Sequence, residues 1–221
     1  MIYILNIETA TKNCSVSVGL NGKTIALKEL SAAQFNHAEK LQTFIDEILQ
    51  TAKITFKELK AVAVSKGPGS YTGLRIGVSS AKGFCYALDI PLIAVNTLEL
   101  LAHQLVAQQG FIVPMIDARR MEVFTQIFDA SKKVVSKPYA LIVEENSFET
   151  LEGTIHLIGD GAEKCKEVLK DERFKYYDEI IFPSARQMSL LSFEKYLHND
   201  FEDTAYFEPY YLKDFMLSVK K

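Results

Sequence analysis

The 221-residue chain has no tryptophan, three cysteines and four histidines, and no apolar run approaches the 18 residues that a membrane-crossing helix needs. Cys14, Cys85 and Cys165 are odd in number, far apart and without a C-x-x-C pair, which excludes a disulfide framework or a thiolate zinc site and suits reduced cytosol. His37, His103, His156 and His198 form neither an H-E-x-x-H motif nor any other pair spaced to hold a metal on one helix. Basic residues are not in excess: 25 Lys and Arg against 28 Asp and Glu leave a net charge of −3. Broad autonomous nucleic-acid binding, which depends on neutralising phosphates, is therefore not expected. No basic region precedes the apolar start of MIYILNIETATKNC, so neither export nor membrane insertion is expected. Nucleophilic catalysis is also disfavoured. Ser70 lacks a G-x-S-x-G context, and Cys14 has no neighbouring histidine to activate it.

What the chain does have is KGPGSYTGLRIG, Lys66 to Gly77, a glycine-dense turn leading into a helical pattern. Ala61 to Ser65 reads as a short buried strand before it. Leu74, Val78, Ala81, Cys85 and Leu88 recur at helical spacing after it, predicting a helix over Thr72 to Leu88. Gly67, Gly69 and Gly73 permit positive φ or close approach, and Pro68 stiffens the loop between them. A strand, turn and helix of this kind can aim backbone N–H groups, including those around Gly69 and Ser70, at an anion. Alternatively, it can be a rigid turn whose glycines serve packing. The spacing matches neither a P-loop nor the dinucleotide-binding G-x-G-x-x-G fingerprint.

Strands are predicted at Ile2 to Ile7, Ser15 to Leu20 and Lys23 to Leu30, the last two joined by Asn21-Gly22, a strong hairpin signal. Asn36 and Glu39 resemble a capping box before a helix with a stripe of His37, Leu41, Phe44, Ile45, Ile48, Leu49 and Ala52. A strand at Leu92 to Val95 and a helix from Leu98 to Gln108 follow. The opening then recurs as pattern: strands at Ile112 to Ile116, Glu122 to Phe128, Tyr139 to Val143 and Ile155 to Ile158, a helix at Ala162 to Leu169 and a strand near Ile180. Two similar α/β lobes are implied, residues 1–100 and 101–204, with 205–221 returning to complete the first.

Glu8 and Asp117 stand at the ends of equivalent first strands, where open α/β sheets place ligand crevices. Two acids facing one cleft, with Thr9 and the Gly159-Asp160-Gly161 turn alongside, could coordinate a metal phosphate or activate water. Equally, they could cap turns.

The segments ILNIETATKNCSVSV, HAEKLQTFIDEIL, KGPGSYTGLRIGVSSAKG, IDARRMEVF and EPYYLK occur in the order found in the bacterial TsaB (YeaZ) family, which the chain resembles over most of its length. The resemblance implies a duplicated actin-like ATPase (ribonuclease H-like) fold of mixed sheets flanked by helices. It also implies a scaffold role in making threonylcarbamoyladenosine at position 37 of tRNAs reading ANN codons. In that pathway the metal-bearing paralogue TsaD performs the transfer, with a TsaE-like ATPase in the same complex. That paralogue carries an H-x-x-x-H site in VNHLEGH, whereas here the run is Val95 to Leu101 and Thr97 and Leu101 occupy the ligand positions. A neutral hydroxyl and an alkyl group cannot replace two imidazoles. No catalytic residue, metal or required cofactor is therefore expected. Glu8 in place of the family's more usual aspartate, and Ala10 where nucleotide-using relatives often have glycine, leave room for weak nucleotide binding without turnover.

The resemblance further implies that the two first-lobe helices bind the catalytic paralogue, or a second copy in its absence. His37, Leu41, Phe44, Ile48 and Phe84 are the expected contacts, with Gly73, Gly77, Ser80 and Ala87 as a small-residue face that admits a partner helix; alternatively, both faces of that helix are internal. His37 reads as a packing or interface residue rather than a base. Arg119-Arg120 and Lys220-Lys221 are local basic spots, solvated surface or auxiliary tRNA contacts, with tRNA met mainly through the complex. The rival readings are an autonomous enzyme, either a nucleotide-dependent phosphotransferase or a glycoprotease-like hydrolase, and a homodimeric binding module unrelated to tRNA.

Overall fold

The computed structural model describes residues 1–31 and 37–213. Asn36, Lys220 and Lys221 lie outside that set, so the proposed cap and the basic tail are not described. The first lobe is a five-stranded sheet: β1 (Tyr3–Glu8), β2 (Asn13–Leu20), β3 (Lys23–Ser31), β4 (Leu59–Gly67) and β5 (Leu92–Asn96), in the order β3-β2-β1-β4-β5. β1 runs antiparallel to β2 and parallel to β4, the remaining neighbours continuing each sense. In the second lobe, β6 (Phe111–Asp117), β7 (Glu122–Thr125), β9 (Tyr139–Ile142), β10 (Ile155–Ile158) and β11 (Phe174–Tyr176) lie in the order β9-β7-β6-β10-β11. β8 (Phe128–Asp129) pairs with β6 as well.

The second order reproduces the first strand for strand, with the same directions. The duplication legible as a sequence pattern is thus a duplication of topology, and the fold is the duplicated actin-like α/β fold.

Alternation along β1 sorts its side chains between two faces. Leu5 and Ile7 pack with Val16 and Val18 under α1 (His37–Ala52) and α2 (Tyr71–Leu88). Fully burying the helix residues Leu41, Ile45 and Ile48 contributes about 1.5–3 kcal/mol each. On the other face Ile4 joins Ala61, Ala63, Ile93 and Val95 against Met188 and Leu191 of α4 (Ala185–Leu197).

α4 has no counterpart in the sequence reading, because Ser189 and Ser192 interrupt Ala185, Met188 and Leu191 on its buried face. Ser189 and Ser192 meet Asn6: Asn6 Nδ2 donates to Ser189 Oγ at 3.2 Å, and Ser192 Oγ donates to Asn6 Oδ1 at 2.7 Å. Ser15 Oγ accepts from Ala185 N at 3.0 Å. A buried stripe that mixes serine with apolar residues carries only a weak apolar period. It also corrects the lobe boundary, since residues 185–197, assigned to the second lobe, pack on the first lobe's sheet.

Other elements differ from expectation in detail. The Leu98 to Gln108 helix is shorter, α3 (Thr97–Ala102), with Asn96 Oδ1 accepting from Leu98 N at 2.9 Å at its start and turns after His103. Leu98 and Leu101 of α3 enter the core shared with Ile112, Ile116 and Phe128, which joins the lobes. The Ala162 to Leu169 helix is a 3₁₀ turn over Glu163–Glu167. The Glu122 to Phe128 strand breaks at Gln126 and Ile127, where Ile127 N donates to Ser136 Oγ (2.9 Å) instead of to a strand neighbour. The strand placed near Ile180 is Phe174–Tyr176, while Ile180 O accepts from Gly159 N at 2.8 Å.

Candidate functional site

A cavity of about 860 Å³ opens between the lobes, lined by Ala10 to Lys12 and Pro68 to Thr72 on one wall and Ile116 to Arg120, Glu122, Phe124 and Asp160 on the other. Tyr210 to Lys213 also line it.

The glycine loop meets the β1–β2 turn so closely that its glycines are explained by packing. A Cβ at Gly69 would collide with the Ala10 carbonyl, at Gly73 with the Thr9 carbonyl and at Gly77 with the Thr9 hydroxyl. Thr9 Oγ1 donates to Gly73 O at 2.8 Å, and Ser70 N donates to Ala10 O at 2.7 Å. Ser70 Oγ accepts from Gly73 N at 3.2 Å, capping α2. Of the two readings of this loop, the close-packed turn is the one its contacts describe. The Ser70 N–H that an anion cradle would offer is directed at the neighbouring turn.

The small-residue face requires the same correction. Gly73 and Gly77 point inward, not at a partner helix, and His37, Leu41, Phe44 and Ile48 are buried in the first-lobe core. His37 Nε2 bonds Thr11 O at 2.7 Å, and burial lowers its pKa against the opposing effect of that bond. Periodicity identified the buried stripe correctly, but a buried stripe is not the outer surface. Ser80 and Phe84 are only partly buried. Gln42 Nε2 donates to Ser80 Oγ across the two helices at 3.4 Å, and Phe84 stacks on Phe56 with centroids 5.3 Å apart. Exposed residues of the two helices include Ala38, Gln42 and Asp46 on α1 and Thr72, Ser79, Gly83, Tyr86 and Ala87 on α2. A Cβ at Gly83 would meet nothing within 4 Å.

The two acids do not share the cleft. Asp117 lines it, ion-paired with Lys164 and accepting Arg119 N at 3.0 Å. Glu8 is fully buried outside the lining, its Oε1 accepting from Ala10 N at 2.5 Å. Its Oε2 has no hydrogen-bond partner among the described residues, although Ser65 lies alongside. Burial pushes the carboxyl up to about 7, partly offset by the Ala10 N–H and Ser65. Thr9 is likewise buried.

With Asp117 and Glu122, the third acid lining the cleft is Asp160. Its Oδ1 accepts from Asp117 N at 2.9 Å, and burial, with the nearby Asp117 charge, raises its pKa. Gly159 and Gly161 do not line the cavity. Gly159, at φ +101°, sits against the Met115 carbonyl, and Gly161 lies beside the Ile116–Asp117 backbone. Sequence reasoning missed Lys12 as a cleft residue and named Asp160 only as part of the Gly159-Asp160-Gly161 turn. The flanking glycines drew attention to the Asp160 turn without marking the acid itself.

Thr97 and Leu101 are both fully buried. Thr97 Oγ1 accepts from Gly67 N at 3.2 Å, and Leu101 belongs to the core between the lobes. Among the described residues no cluster of three His, Cys, Asp or Glu side chains could hold a metal ion.

A family model described as "TsaD: tRNA N6-adenosine threonylcarbamoyltransferase" matches residues 31–216. A tRNA threonylcarbamoyladenosine biosynthesis protein TsaB from Buchnera aphidicola is 31% identical, the alignment covering 84% of this chain and 90% of that one. The chain belongs to the TsaB (YeaZ) family. The protein of the same description from Escherichia coli is 28% identical over 96% of this chain and 94% of its own length. The solved structure of YeaZ from Pseudomonas aeruginosa superposes with a TM-score of 0.83 at 22% identity, covering 96% of this chain and all of that one, and so shares the fold. By contrast, a tRNA N6-adenosine threonylcarbamoyltransferase from Geobacillus thermodenitrificans is matched over 50% of this chain but only 37% of its length, at 32% identity.

Proposed function

We propose that the chain is a non-catalytic scaffold subunit of the assembly that places threonylcarbamoyl on adenosine 37 of ANN-decoding tRNAs, and that it binds and stabilises a TsaD-type transferase. The observation that carries this reading is the pairing of TsaB family membership with Thr97 and Leu101 as packed, non-ligating residues where the transferase has its histidine pair. The docking surface is the outward face of α1 and α2, on which Gly83 and its neighbours Ser79, Ser80 and Ala87 allow a partner helix near approach. A second copy of the chain competes for this face when the transferase is absent. A TsaE-type ATPase and the tRNA are met within the complex, in the cytoplasm. Nucleotide binding at the cleft is weak and not required. No helix among the described residues is long and apolar enough to cross a membrane.

Gly83→Arg tests the surface, because the new side chain enters open space and replaces a residue of poor helix propensity, leaving the fold intact. The expected result is an unchanged circular dichroism spectrum, loss of transferase capture and loss of the chain's stimulation of threonylcarbamoyl transfer in a reconstituted reaction. Undiminished capture by the folded variant rejects the docking face. Transfer at full rate without the chain rejects the scaffold role.

A further inference from the structure

Residues after α4 cross the first lobe and then leave it. Glu202 N donates to Leu92 O at 2.9 Å, Lys82 Nζ donates to the carbonyls of Ala205 and Phe207 at 3.1 and 3.0 Å, and Phe207 packs against the first-lobe core. Tyr210 N donates to Lys66 O at 2.7 Å. Gly67, at φ +110°, makes this seat. A Cβ there would come within 2.6 Å of the Tyr210 carbonyl, so the glycine loop is shaped to receive the chain's own C-terminal segment. Tyr211 then lies 5.0 Å from the Tyr71 ring, and its hydroxyl accepts from Arg75 Nε at 3.2 Å. Arg75 itself stacks over Tyr71 at 4.1 Å. Two residues later Lys213 Nζ reaches Glu122 Oε2 of the second lobe at 2.5 Å.

We propose that Tyr210 to Lys213 form a releasable strap that bridges the two walls of the interlobe cavity, and that the Lys213–Glu122 pair is the contact that lets go. The two ends are unequal. The first-lobe end is held by backbone bonds, an aromatic pair and a partly buried phenylalanine. The second-lobe end is one ion pair whose lysine is half exposed, at 49%, and pairs of that kind stabilise only weakly. Elsewhere the lobes are joined by continuous packing of Leu98 and Leu101 with Ile112, Ile116, Phe128 and Ile158, and by Asn96 Nδ2 donating to Gln126 Oε1 at 2.9 Å. A packed joint together with a weak electrostatic clasp is the arrangement of a hinged closure. Because the strap is bonded to Arg75, and the segment leading into it to Lys82, its engagement also bears on α2, whose outer face is the proposed docking surface.

The closure is measured with spin labels on Thr72→Cys and Arg119→Cys, exposed positions on opposite walls, by pulsed dipolar spectroscopy. Native Cys14, Cys85 and Cys165 are buried, so labelling favours the introduced thiols. Glu122→Gln and Lys213→Gln are each expected to lengthen and broaden the interlobe distance distribution to the same extent, with no further change in the double variant. Salt at 1 M, where the screening length is about 3 Å, should do the same to the native pair. The charge exchange Glu122→Lys with Lys213→Glu should restore the short distance. Circular dichroism checks that each variant is folded. An identical distribution in all folded variants overturns the proposal, as does opening by Glu122→Gln without opening by Lys213→Gln.

Discussion

Glu8 makes the stability of this protein depend on pH in a direction opposite to that of a salt-bridged carboxylate. Its folded pKa is about 7 against an ordinary value of 4.5, because burial penalises the charged form more than the Ala10 N–H and Ser65 favour it. Between those two values the folded chain holds a proton that the unfolded chain has released. The contribution is therefore fully favourable below pH 4.5 and declines as pH rises towards 7, by about 1.4 kcal/mol for each pH unit. The accumulated loss is roughly 3 kcal/mol, a sizeable share of the ~5–15 kcal/mol that stabilises a typical domain.

Glu8→Gln preserves the size and the acceptor for Ala10 N while removing the titration. Urea denaturation of both proteins at pH 5, 6, 7 and 8 isolates this group, because Asp160 and the other shifted residues cancel in the difference. The variant should gain on the native protein by roughly 2.5 kcal/mol between pH 5 and pH 8. A difference in stability that stays constant across that range would refute the burial argument.

Gly73→Ala places a methyl group on the Thr9 carbonyl, where the neighbouring backbone cannot give way. A loss of about 1–3 kcal/mol in urea denaturation is expected, and a loss under about 0.5 kcal/mol would contradict the packing reading of the glycine loop. Ser192→Ala removes the donor to Asn6 Oδ1 in a buried network and should cost about 1–3 kcal/mol by the same measurement, with α4 still helical by circular dichroism.

The regular elements of the first lobe were legible because their signals are local. Asn21-Gly22 marked the hairpin between β2 and β3, and Leu41, Ile45 and Ile48 marked the buried side of α1. α4 was illegible for the opposite reason, since Ser189 and Ser192 become core residues only when Asn6 and Ser17, more than 170 positions away, supply their partners. The candidate site was half legible. Asp117, Gly69 and Ser70 line the cleft as expected, whereas Glu8 and the glycines Gly159 and Gly161 do not.

The sequence alone determined the two-lobed α/β repeat and the family, because each is written in neighbouring residues or a recurring local pattern. The tertiary structure decided which side of each helix faces solvent, which acids share a cavity and what the glycine loop contacts. Those outcomes depend on side chains brought together from distant parts of the chain. A glycine has the same symbol whether its missing Cβ makes room for a ligand, a partner helix or, as at Gly67, the carbonyl of Tyr210.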